Sequence, residues 1–174
     1  MVKLFHVEEE DLLRGNISVK AADGTDTMNY LIAGILDKIS DMTVFLNPTK
    51  NSYHRFGSNK APRYISWSSE NRSQLVRVPA AVGEYRRAEL RSPDPSANTY
   101  LAFALMIYAI LDGIQNKLEL PTPADMNLYI AEESILAKFR QLPEDFHSAC
   151  AVAASSDFIK MHIPKTILDI YCKQ

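Results

Sequence analysis

Residues 83–98 read GEYRRAELRSPDPSAN, and the centre of this stretch alternates in the manner of a β-strand. Arg87, Glu89 and Arg91 are spaced two apart, so on a strand their side chains project from one face. The alanine and leucine between them project from the other face, as expected where a sheet covers a core. The SPDP sequence that follows ends the strand, because proline cannot donate a ladder hydrogen bond. The stretch therefore predicts a strand with one charged and one apolar face.

The charged face allows two interpretations. Glu89 between two arginines stays ionised, so it can bind a metal ion or simply pair with its neighbours. Arg87 and Arg91 can hold a carboxylate or a phosphate through bidentate hydrogen bonds. Because strand faces of alternating charge are common, spacing alone favours a solvated face with mutual salt bridges.

More arginines surround this strand in the sequence. Besides Arg87 and Arg91, the arginines between positions 55 and 91 include Arg55, Arg72, Arg77 and Arg86. This density suits a polyanionic ligand such as a nucleoside triphosphate. It equally suits a basic surface patch, and spacing does not separate the two.

Upstream of the charged strand, the pattern predicts one long helix and a pair of strands. The helix is capped by Asp26 or Thr27, continues with apolar residues at helical spacing and ends before Pro48. A cationic loop, PTKNSYHRFGSNKAPR, follows it. Residues 64–68 and 74–78 have strand composition and are interpreted as a hairpin.

Downstream, the chain is predicted to be helical. Leu101 to Leu111 is apolar on every face, so this helix should be buried all round. A further helix is expected from about Asp125 to Phe139. Pro143, the segment 155–157 and Pro164 then divide the remainder into three shorter helical pieces. A few strands followed by helices indicate an α+β fold, with a few-stranded antiparallel sheet packed with helices.

Composition excludes several classes of protein. The chain is 47% hydrophobic and 23% charged, which predicts a packed core rather than disorder. A net charge of -2 is unlike that of proteins that grip nucleic acid through its phosphates. The apolar run Leu101 to Leu111 is too short to span a bilayer, and the N-terminus lacks a signal-peptide core. We therefore expect a soluble, cytoplasmic protein with neither nucleic-acid nor membrane partners.

The chain contains two cysteines, Cys150 and Cys172. They are far apart in the sequence and lack the CxxC spacing of metal or redox motifs. In an intracellular protein, such scattered cysteines are expected to be reduced, packed thiols.

Three sequence motifs follow one another along the chain: NPTKNSYHR, then APRYISWSSENRSQLVRVP, then GEYRRAELRSPDPSANTYLAFALMIYAILDGIQNK. This order and spacing resemble the C-terminal part of the glutamine synthetase catalytic domain. The likeness covers roughly Asp26 to Tyr171, which is well under half of a full family member. It implies one partial domain over 1–174, in which 1–24 diverge, 25–112 carry the core motifs and 113–174 form a helical tail.

The resemblance implies a metal and nucleotide site. The family joins ammonia to glutamate with ATP, through a γ-glutamyl phosphate held between two divalent metal ions, Mg²⁺ or Mn²⁺. By motif, Glu89 matches a metal-binding glutamate. Arg87 matches an arginine on the nucleotide side.

The resemblance also implies a substrate site. Arg91 and Arg55 match arginines that hold the substrate glutamate. Arg72 and Arg77 match arginines that face the transferred phosphoryl group and are therefore the catalytic residues expected here. The family's sites lie between adjacent subunits of a ring, so a homo-oligomer or a complementary synthetase chain is the expected partner.

Several departures from the family pattern bear on activity. The strands that carry most of the family's metal-binding carboxylates have no counterpart here, and His6 lacks the glycine-rich context of the family's histidine. His54 replaces a lysine of the family's NSYKR motif. Lys60 stands where the family has a glutamate that helps to deprotonate ammonium, and a protonated lysine cannot accept that proton.

These observations lead to three hypotheses of function. The first is a glutamine synthetase-like protein or fragment that is not catalytically competent as an isolated chain. The second is one half of a split synthetase that is active only with a complementary chain. The third is a non-catalytic oligomerisation or interaction module, in which association covers open sheet edges and apolar surface.

Overall fold

The computed structural model describes residues 17–19, 25–58, 61–80 and 87–173. Its strands are β1 (Ile17–Val19), β2 (Trp67–Ser68), β3 (Val76–Arg77) and β4 (Ala88–Leu90). Its α-helices are α1 (Thr25–Leu46), α2 (Thr99–Gln115), α3 (Glu133–Leu136), α4 (Phe146–Ser155), α5 (Asp157–His162) and α6 (Lys165–Cys172). A 3-10 helix spans Lys50–Arg55. The mixed α+β class predicted from the sequence is confirmed.

Helix α1 forms the centre of the core, as its apolar spacing predicts. Its buried positions include Leu31, Ile35, Ile39 and Met42, which recur at helical spacing along one stripe. The helix ends just before Pro48, as expected for a residue whose ring disfavours helix in the position before it. It packs against α2, α4 and α5, so it links the sheet-bearing half of the chain to the C-terminal helices.

The crossing of α1 and α2 is close because it is made by two glycines. A Cβ atom added at Gly34 would lie 2.1 Å from the carbonyl oxygen of Ala109. A Cβ atom added at Gly113 would lie 2.2 Å from the carbonyl oxygen of Tyr30 and 2.7 Å from Gly34 Cα. Ordinary van der Waals contact begins at 3.4 Å. The two backbones therefore touch at a point where only glycine fits.

The four strands form one sheet in the order β1-β4-β3-β2. The β1–β4 and β3–β4 pairs are antiparallel, as predicted. The β2–β3 pair is parallel, so the predicted hairpin between these strands is wrong. The connecting loop makes no tight turn because Ser73 and Gln74 bind the carbonyl oxygen of Met126, at 3.3 and 2.6 Å. The chain is held there and enters β3 in the same direction as β2.

Helix α2 is longer than predicted and is not buried all round. Ala102, Leu105 and Ala109 are buried on the face that packs against α1. On other faces, Tyr100 is 85% exposed and Tyr108 is 41% exposed. The prediction failed because the described residues leave Tyr100 largely uncovered and cover Tyr108 only in part, through stacking on His162 with ring centroids 3.8 Å apart. Among the described residues, no helix is long and apolar enough to cross a membrane.

The helix expected from Asp125 to Phe139 is reduced to the single turn of α3. The segment before it is extended instead, because it is tied to the edge of the sheet. Ala124 donates a backbone hydrogen bond to Trp67 at 2.8 Å, and the Trp67 indole donates to the carbonyl oxygen of Pro121 at 2.6 Å. These tertiary hydrogen bonds replace the helical ones that local sequence favours.

The C-terminal tail consists of three short helices, as predicted. Asp145 caps α4 by accepting a hydrogen bond from the Ser148 backbone at 2.7 Å, and Ser156 caps α5 in the same way from Ile159 at 3.1 Å. Pro164 precedes α6 and separates it from α5. The tail packs against α1 and completes the core there.

Candidate functional site

The charged face of the sheet is built by the register of β3 and β4. Arg77 of β3 lies opposite Glu89 of β4, while Val76 lies opposite Leu90. Val76 and Leu90 are buried in the core. Since neighbouring strand residues point to opposite faces, Arg77 and Glu89 share the face away from the core. The sequence prediction of one charged and one apolar face is therefore confirmed for these strands.

Glu89 lies between two arginines and pairs with both. Its Oε2 atom is 3.3 Å from Arg77 Nη1, and its Oε1 atom is 3.2 Å from Arg91 Nε. The Glu89 side chain is 16% exposed, that of Arg77 is 21% exposed and that of Arg91 is 6% exposed. We call these three residues the Glu89 cluster. Because each carboxylate oxygen already has a guanidinium partner, Glu89 holds the two arginines in place.

The Glu89 cluster has donors to spare. Arg77 Nε and Arg91 Nη1 are buried and have no hydrogen-bond partner among the described residues. Buried polar groups are normally satisfied, so spare donors at a charged face indicate a place for an acceptor. A carboxylate or phosphoryl oxygen is the acceptor that guanidinium groups bind best. The cluster therefore has the chemistry of an anion site with one internal counter-charge.

Tyr129 lies beside this cluster and was not identified from the sequence. Burial raises the pKa of its phenol, although the positive charge of Arg91 opposes that increase. The phenol is therefore neutral at physiological pH and can donate or accept a hydrogen bond next to Arg91. Tyr129 escaped notice because it falls in the stretch that was predicted to be helical.

The other predicted arginines lie around the cluster in different environments. Arg87 is half-buried just before β4 and has an interaction partner within the structure. Arg72 is exposed on the loop between β2 and β3. Arg86, which was counted with them, lies outside the described residues. Register thus unites Arg77, Glu89 and Arg91, whereas Arg72 is carried by a loop.

Arg55 serves a structural purpose that its motif does not reveal. Its Nη2 atom donates to Asn47 Oδ1 at 2.6 Å and to the carbonyl oxygen of Ser92, and its Nε atom lies 3.4 Å from Asp94 Oδ2. Burial lowers the pKa of the Arg55 guanidinium, and the charge of Asp94 opposes that decrease. Arg55 therefore joins the end of α1, the 3-10 helix and the SPDP segment, although its buried Nε atom has no hydrogen-bond partner among the described residues.

A cavity of about 450 Å³ adjoins the loop that carries Arg72. It is lined by Ser68, Ser69, Glu70, Asn71 and Asp125. Ser68 is in register with Arg77 across the β2–β3 pair, and its hydroxyl donates to Asp125 at 2.9 Å. The cavity is therefore continuous with the polar face of the sheet. Sequence reasoning missed it because it depends on the parallel pairing of β2 and β3.

A divalent metal ion is not accommodated by the described residues alone. They contain no group of three or more His, Cys, Asp or Glu side chains that could hold one. Glu89 contributes one carboxylate, whereas a two-metal site that clamps a phosphoryl group needs several. His6 and Lys60, which bear on metal binding and on ammonium chemistry, lie outside the described residues. Metal binding by Glu89 therefore requires ligands from elsewhere.

Another cavity, of about 620 Å³, is not lined by any residue of the Glu89 cluster. It is bordered by the 3-10 helix, α4 and the end of α6, and its lining includes Tyr53, His54, His147, Cys150 and Cys172. No arginine of the predicted site lines it. We therefore assign the candidate functional site by the chemistry of the Glu89 cluster and not by the volume of a cavity.

Comparison with known proteins supplies the family. The family model described as glutamine synthetase, catalytic domain, matches residues 6–174. A glutamine synthetase of Methanosarcina mazei is 41% identical over 145 residues, which make up 82% of this chain and 32% of that protein. A glutamine synthetase of Thermotoga maritima is 50% identical over 103 residues, or 59% of this chain and 24% of that protein.

Solved structures agree with these sequence relatives. The structure titled "GmaS/ADP complex-Conformation 1" superposes with a TM-score of 0.77 at 26% identity, covering 91% of this chain and 40% of the other. The structure titled "Apo GmaS without ligand" gives 0.76 at 27%, with 91% and 39% covered. The chain spans about a third of the length of the curated relatives it matches. By its motifs, its fold and these matches, the chain belongs to the glutamine synthetase catalytic-domain family.

Proposed function

We propose that this chain carries the arginine-rich, substrate-anchoring part of a glutamine synthetase site and does not form glutamine by itself. The observation that carries the proposal is the Glu89 cluster, with its two spare buried donors. The family reaction is the ATP-dependent ligation of ammonia to glutamate. The glutamate carboxylates and the transferred phosphoryl group are anionic, which suits arginine donors.

The proposal assigns the cluster to the anionic ends of the substrates. Arg91 holds the substrate carboxylate, and Arg77 faces the phosphoryl group that passes from ATP to glutamate. Arg72 reaches the same phosphoryl group from the loop, and Arg87 lies on the nucleotide side. Arg55 supports the substrate carboxylate through the SPDP segment, in keeping with its internal contacts.

Metal chemistry is the part that the described residues do not complete. In the proposed reaction Mg²⁺ or Mn²⁺ would neutralise the phosphates when bound. Glu89 would supply one ligand, from an oxygen that also pairs with Arg77 or Arg91. Removing one electrostatic stabiliser commonly costs about a hundredfold in rate. A site short of several carboxylates is therefore proposed to have no useful turnover.

Lys60 strengthens the same conclusion from the sequence. A glutamate at this place in the family accepts a proton as ammonium enters. A lysine is protonated at neutral pH, so it has no lone pair to accept that proton and repels the incoming cation. Even with metals supplied from elsewhere, the ammonia step is proposed to be slow.

The first test is an activity assay on the purified chain. Glutamine formation and γ-glutamyl transfer are measured with ATP and either Mg²⁺ or Mn²⁺, beside a full-length synthetase. We expect no product above the background of a protein-free reaction. Turnover that scales with the concentration of this chain would overturn the proposal that it is incompetent alone.

The second test asks whether the arginine face binds a polyanion. Metal-free ATP binding is measured by calorimetry for the wild type and for Arg72→Ala, with Lys165→Ala on α6 as a control that removes an equal charge. We expect about tenfold weaker binding for Arg72→Ala alone, since one charge-assisted hydrogen bond to a charged group contributes about 1.4 kcal/mol or more. Equal affinity of the two variants would remove Arg72 from the phosphoryl site.

A second candidate function, completion by another chain, is favoured by the exposed apolar surface. Tyr100 on α2 is 85% exposed and Ile130, which follows Tyr129, is 81% exposed. Association with another chain would remove these apolar side chains from water. The proposed occupant is the part of a synthetase that this chain does not span.

Reconstitution separates this alternative from the first. The chain is mixed with the complementary two-thirds of the Methanosarcina mazei synthetase, and complex formation and glutamine synthesis are followed together. A complex with activity supports a split synthetase, and a complex without activity supports an interaction module. If sedimentation shows neither a mixed complex nor a homo-oligomer at high concentration, both association hypotheses are abandoned.

A further inference from the structure

The fold brings the two cysteines of the chain together. Cys150 lies in α4 and Cys172 is the last residue of α6, and the two helices pack against each other. Both thiols line the cavity of about 620 Å³ described above. In the described part of the chain, neither is in a disulfide. The scattered cysteines of the sequence are thus neighbours in space.

The two thiols interact directly and differ in their surroundings. Cys150 is only 9% exposed and belongs to the hydrophobic core, whereas Cys172 is half-buried at the edge of that core. Burial, followed by hydrogen-bond and charge interactions with the Cys172 side chain, raises the pKa of Cys150 to about 12. Cys150 therefore stays protonated at neutral pH, and Cys172 is the thiol that a soluble oxidant reaches first.

We propose that Cys150 and Cys172 form a reversible disulfide when the chain meets a peroxide, and that this bond fastens α6 to α4 beside the cavity. The inference does not depend on the proposed function. A disulfide needs Cβ atoms about 3.8 Å apart, and Cys172 can adjust to this because it ends its helix.

The chemistry balances with hydrogen peroxide as the oxidant. The Cys172 thiolate attacks one peroxide oxygen, so an S–O bond forms, the O–O bond breaks and the departing hydroxide leaves as water after taking up a proton. Cys150 then loses its proton and attacks the sulfur of the Cys172 sulfenic acid. An S–S bond forms, the S–O bond breaks and a second water leaves. Two thiols are oxidised by two electrons in total, and one peroxide is reduced.

The bond would act on the 3-10 helix that borders the cavity. Tyr53 is buried against Phe146 of α4, with ring centroids 6.3 Å apart, and its hydroxyl has no partner among the described residues. On the other side of α6, Tyr171 packs on Phe45 of α1 at 4.9 Å. A link at Cys172 therefore restricts α6 between α1 and α4. It also restricts the cavity wall formed by the helix that carries Arg55.

The experiment uses the full chain, first reduced and then treated with hydrogen peroxide. Because the chain has two cysteines in all, any intramolecular disulfide must join Cys150 to Cys172. We expect the free thiol count under denaturing conditions to fall from two to none and the intact mass to fall by two hydrogen atoms. Dithiothreitol should reverse both changes. We also expect a rise in melting temperature of about 3 °C or more, since the bond restricts the unfolded chain.

Variants supply the controls. Cys172→Ser should keep its titratable Cys150 thiol, whereas Cys150→Ala should gain one oxygen atom at Cys172, because no second thiol resolves the sulfenic acid. Neither variant should show a rise in melting temperature. Alanine is chosen at position 150 because it keeps a small apolar side chain in the core and adds no buried hydroxyl. The proposal is overturned if the wild type gains oxygen atoms instead of losing hydrogens. Intermolecular dimers as the main product, or two intact thiols after treatment, would overturn it as well.

Discussion

Substituting Gly113 with alanine tests the closest contact in the fold. The added Cβ atom would meet the Tyr30 carbonyl oxygen at 2.2 Å and Gly34 Cα at 2.7 Å. Both obstacles are backbone atoms of α1, so no side chain can rotate away. To restore the 3.4 Å at which ordinary contact begins, the helices would have to separate by roughly 1.2 Å at this point, which is the difference between 3.4 and 2.2 Å.

The magnitude follows from two opposing contributions. Overpacking a well-packed core costs about 1–3 kcal/mol, and the absence of any flexible neighbour places Gly113→Ala near the upper end. A separation of about an ångström also forfeits a quarter to a half of each dispersion contact along the crossing. Alanine in a helix interior gains about 1 kcal/mol over glycine. We therefore expect a net loss of about 2 kcal/mol in the free energy of unfolding.

Urea unfolding followed by far-UV circular dichroism measures this loss. With a slope of about 2 kcal/mol per molar urea, the midpoint should fall by about 1 M. Asn29→Ala on the exposed side of α1 is the control, and its midpoint should stay close to that of the wild type. Gly34→Ala combined with Gly113→Ala should cost less than the sum of the two, because one separation relieves both clashes. A Gly113→Ala chain as stable as the wild type would refute the close crossing.

Three further predictions concern the cap and the charges. Asn98→Ala should cost about 1 kcal/mol in urea unfolding, because the Asn98 side chain caps α2, and Asn98→Ser should recover most of it. Burial opposes the ionisation of Asp94, but hydrogen bonds from Ser96 and the charge of Arg55 outweigh it and lower the carboxyl pKa below its ordinary value. Because the Asp94 pKa is lower in the folded chain than in the unfolded chain, ionised Asp94 stabilises the fold above the unfolded pKa, and this stability is lost as the pH falls through the folded pKa. Below about pH 4, the melting temperature should therefore fall more steeply with pH in the wild type than in Asp94→Asn. Glu89→Gln should tighten metal-free pyrophosphate binding measured by calorimetry, because it frees two arginines from their counter-charge, and unchanged or weaker binding would contradict the anion-site assignment.

The charged face of β4 shows what residue spacing alone can predict. The two-residue spacing of Arg87, Glu89 and Arg91 predicts that they share a face, and Glu89 and Arg91 do meet in an ion pair at 3.2 Å. The register of β3 and β4 adds Arg77, which spacing along one strand does not reveal. Spacing left open whether the face was a salt-bridged surface or a ligand site. The structure shows that it is salt-bridged and still has spare donors, so the two interpretations are compatible. The assignment of substrate roles to these arginines stays a prediction.

Arg55 and the segment before α3 show which features local sequence does not predict. A loop arginine next to NSYH indicates a ligand-binding residue, yet Arg55 also makes internal contacts with Asn47, Ser92 and Asp94. Those partners are up to 39 positions away, at Asp94, and no periodicity signals them. The sequence predicts a helix from about Asp125 to Phe139. Tertiary hydrogen bonds to Trp67, Ser73 and Gln74 hold the residues from Pro121 to Leu128 in irregular backbone instead.

The sequence by itself determined the family, the long core helix α1, the three helical pieces of the tail and the alternation of β4. Each of these depends on periodicity, capping residues or ordered motifs, which act over a few residues and can be read without a fold. Tertiary structure alone decided the parallel pairing of β2 and β3, the exposed side of α2 and the meeting of Cys150 with Cys172. These depend on contacts between distant segments, whose pairing is set by competition among all the surfaces of the chain rather than by any local pattern.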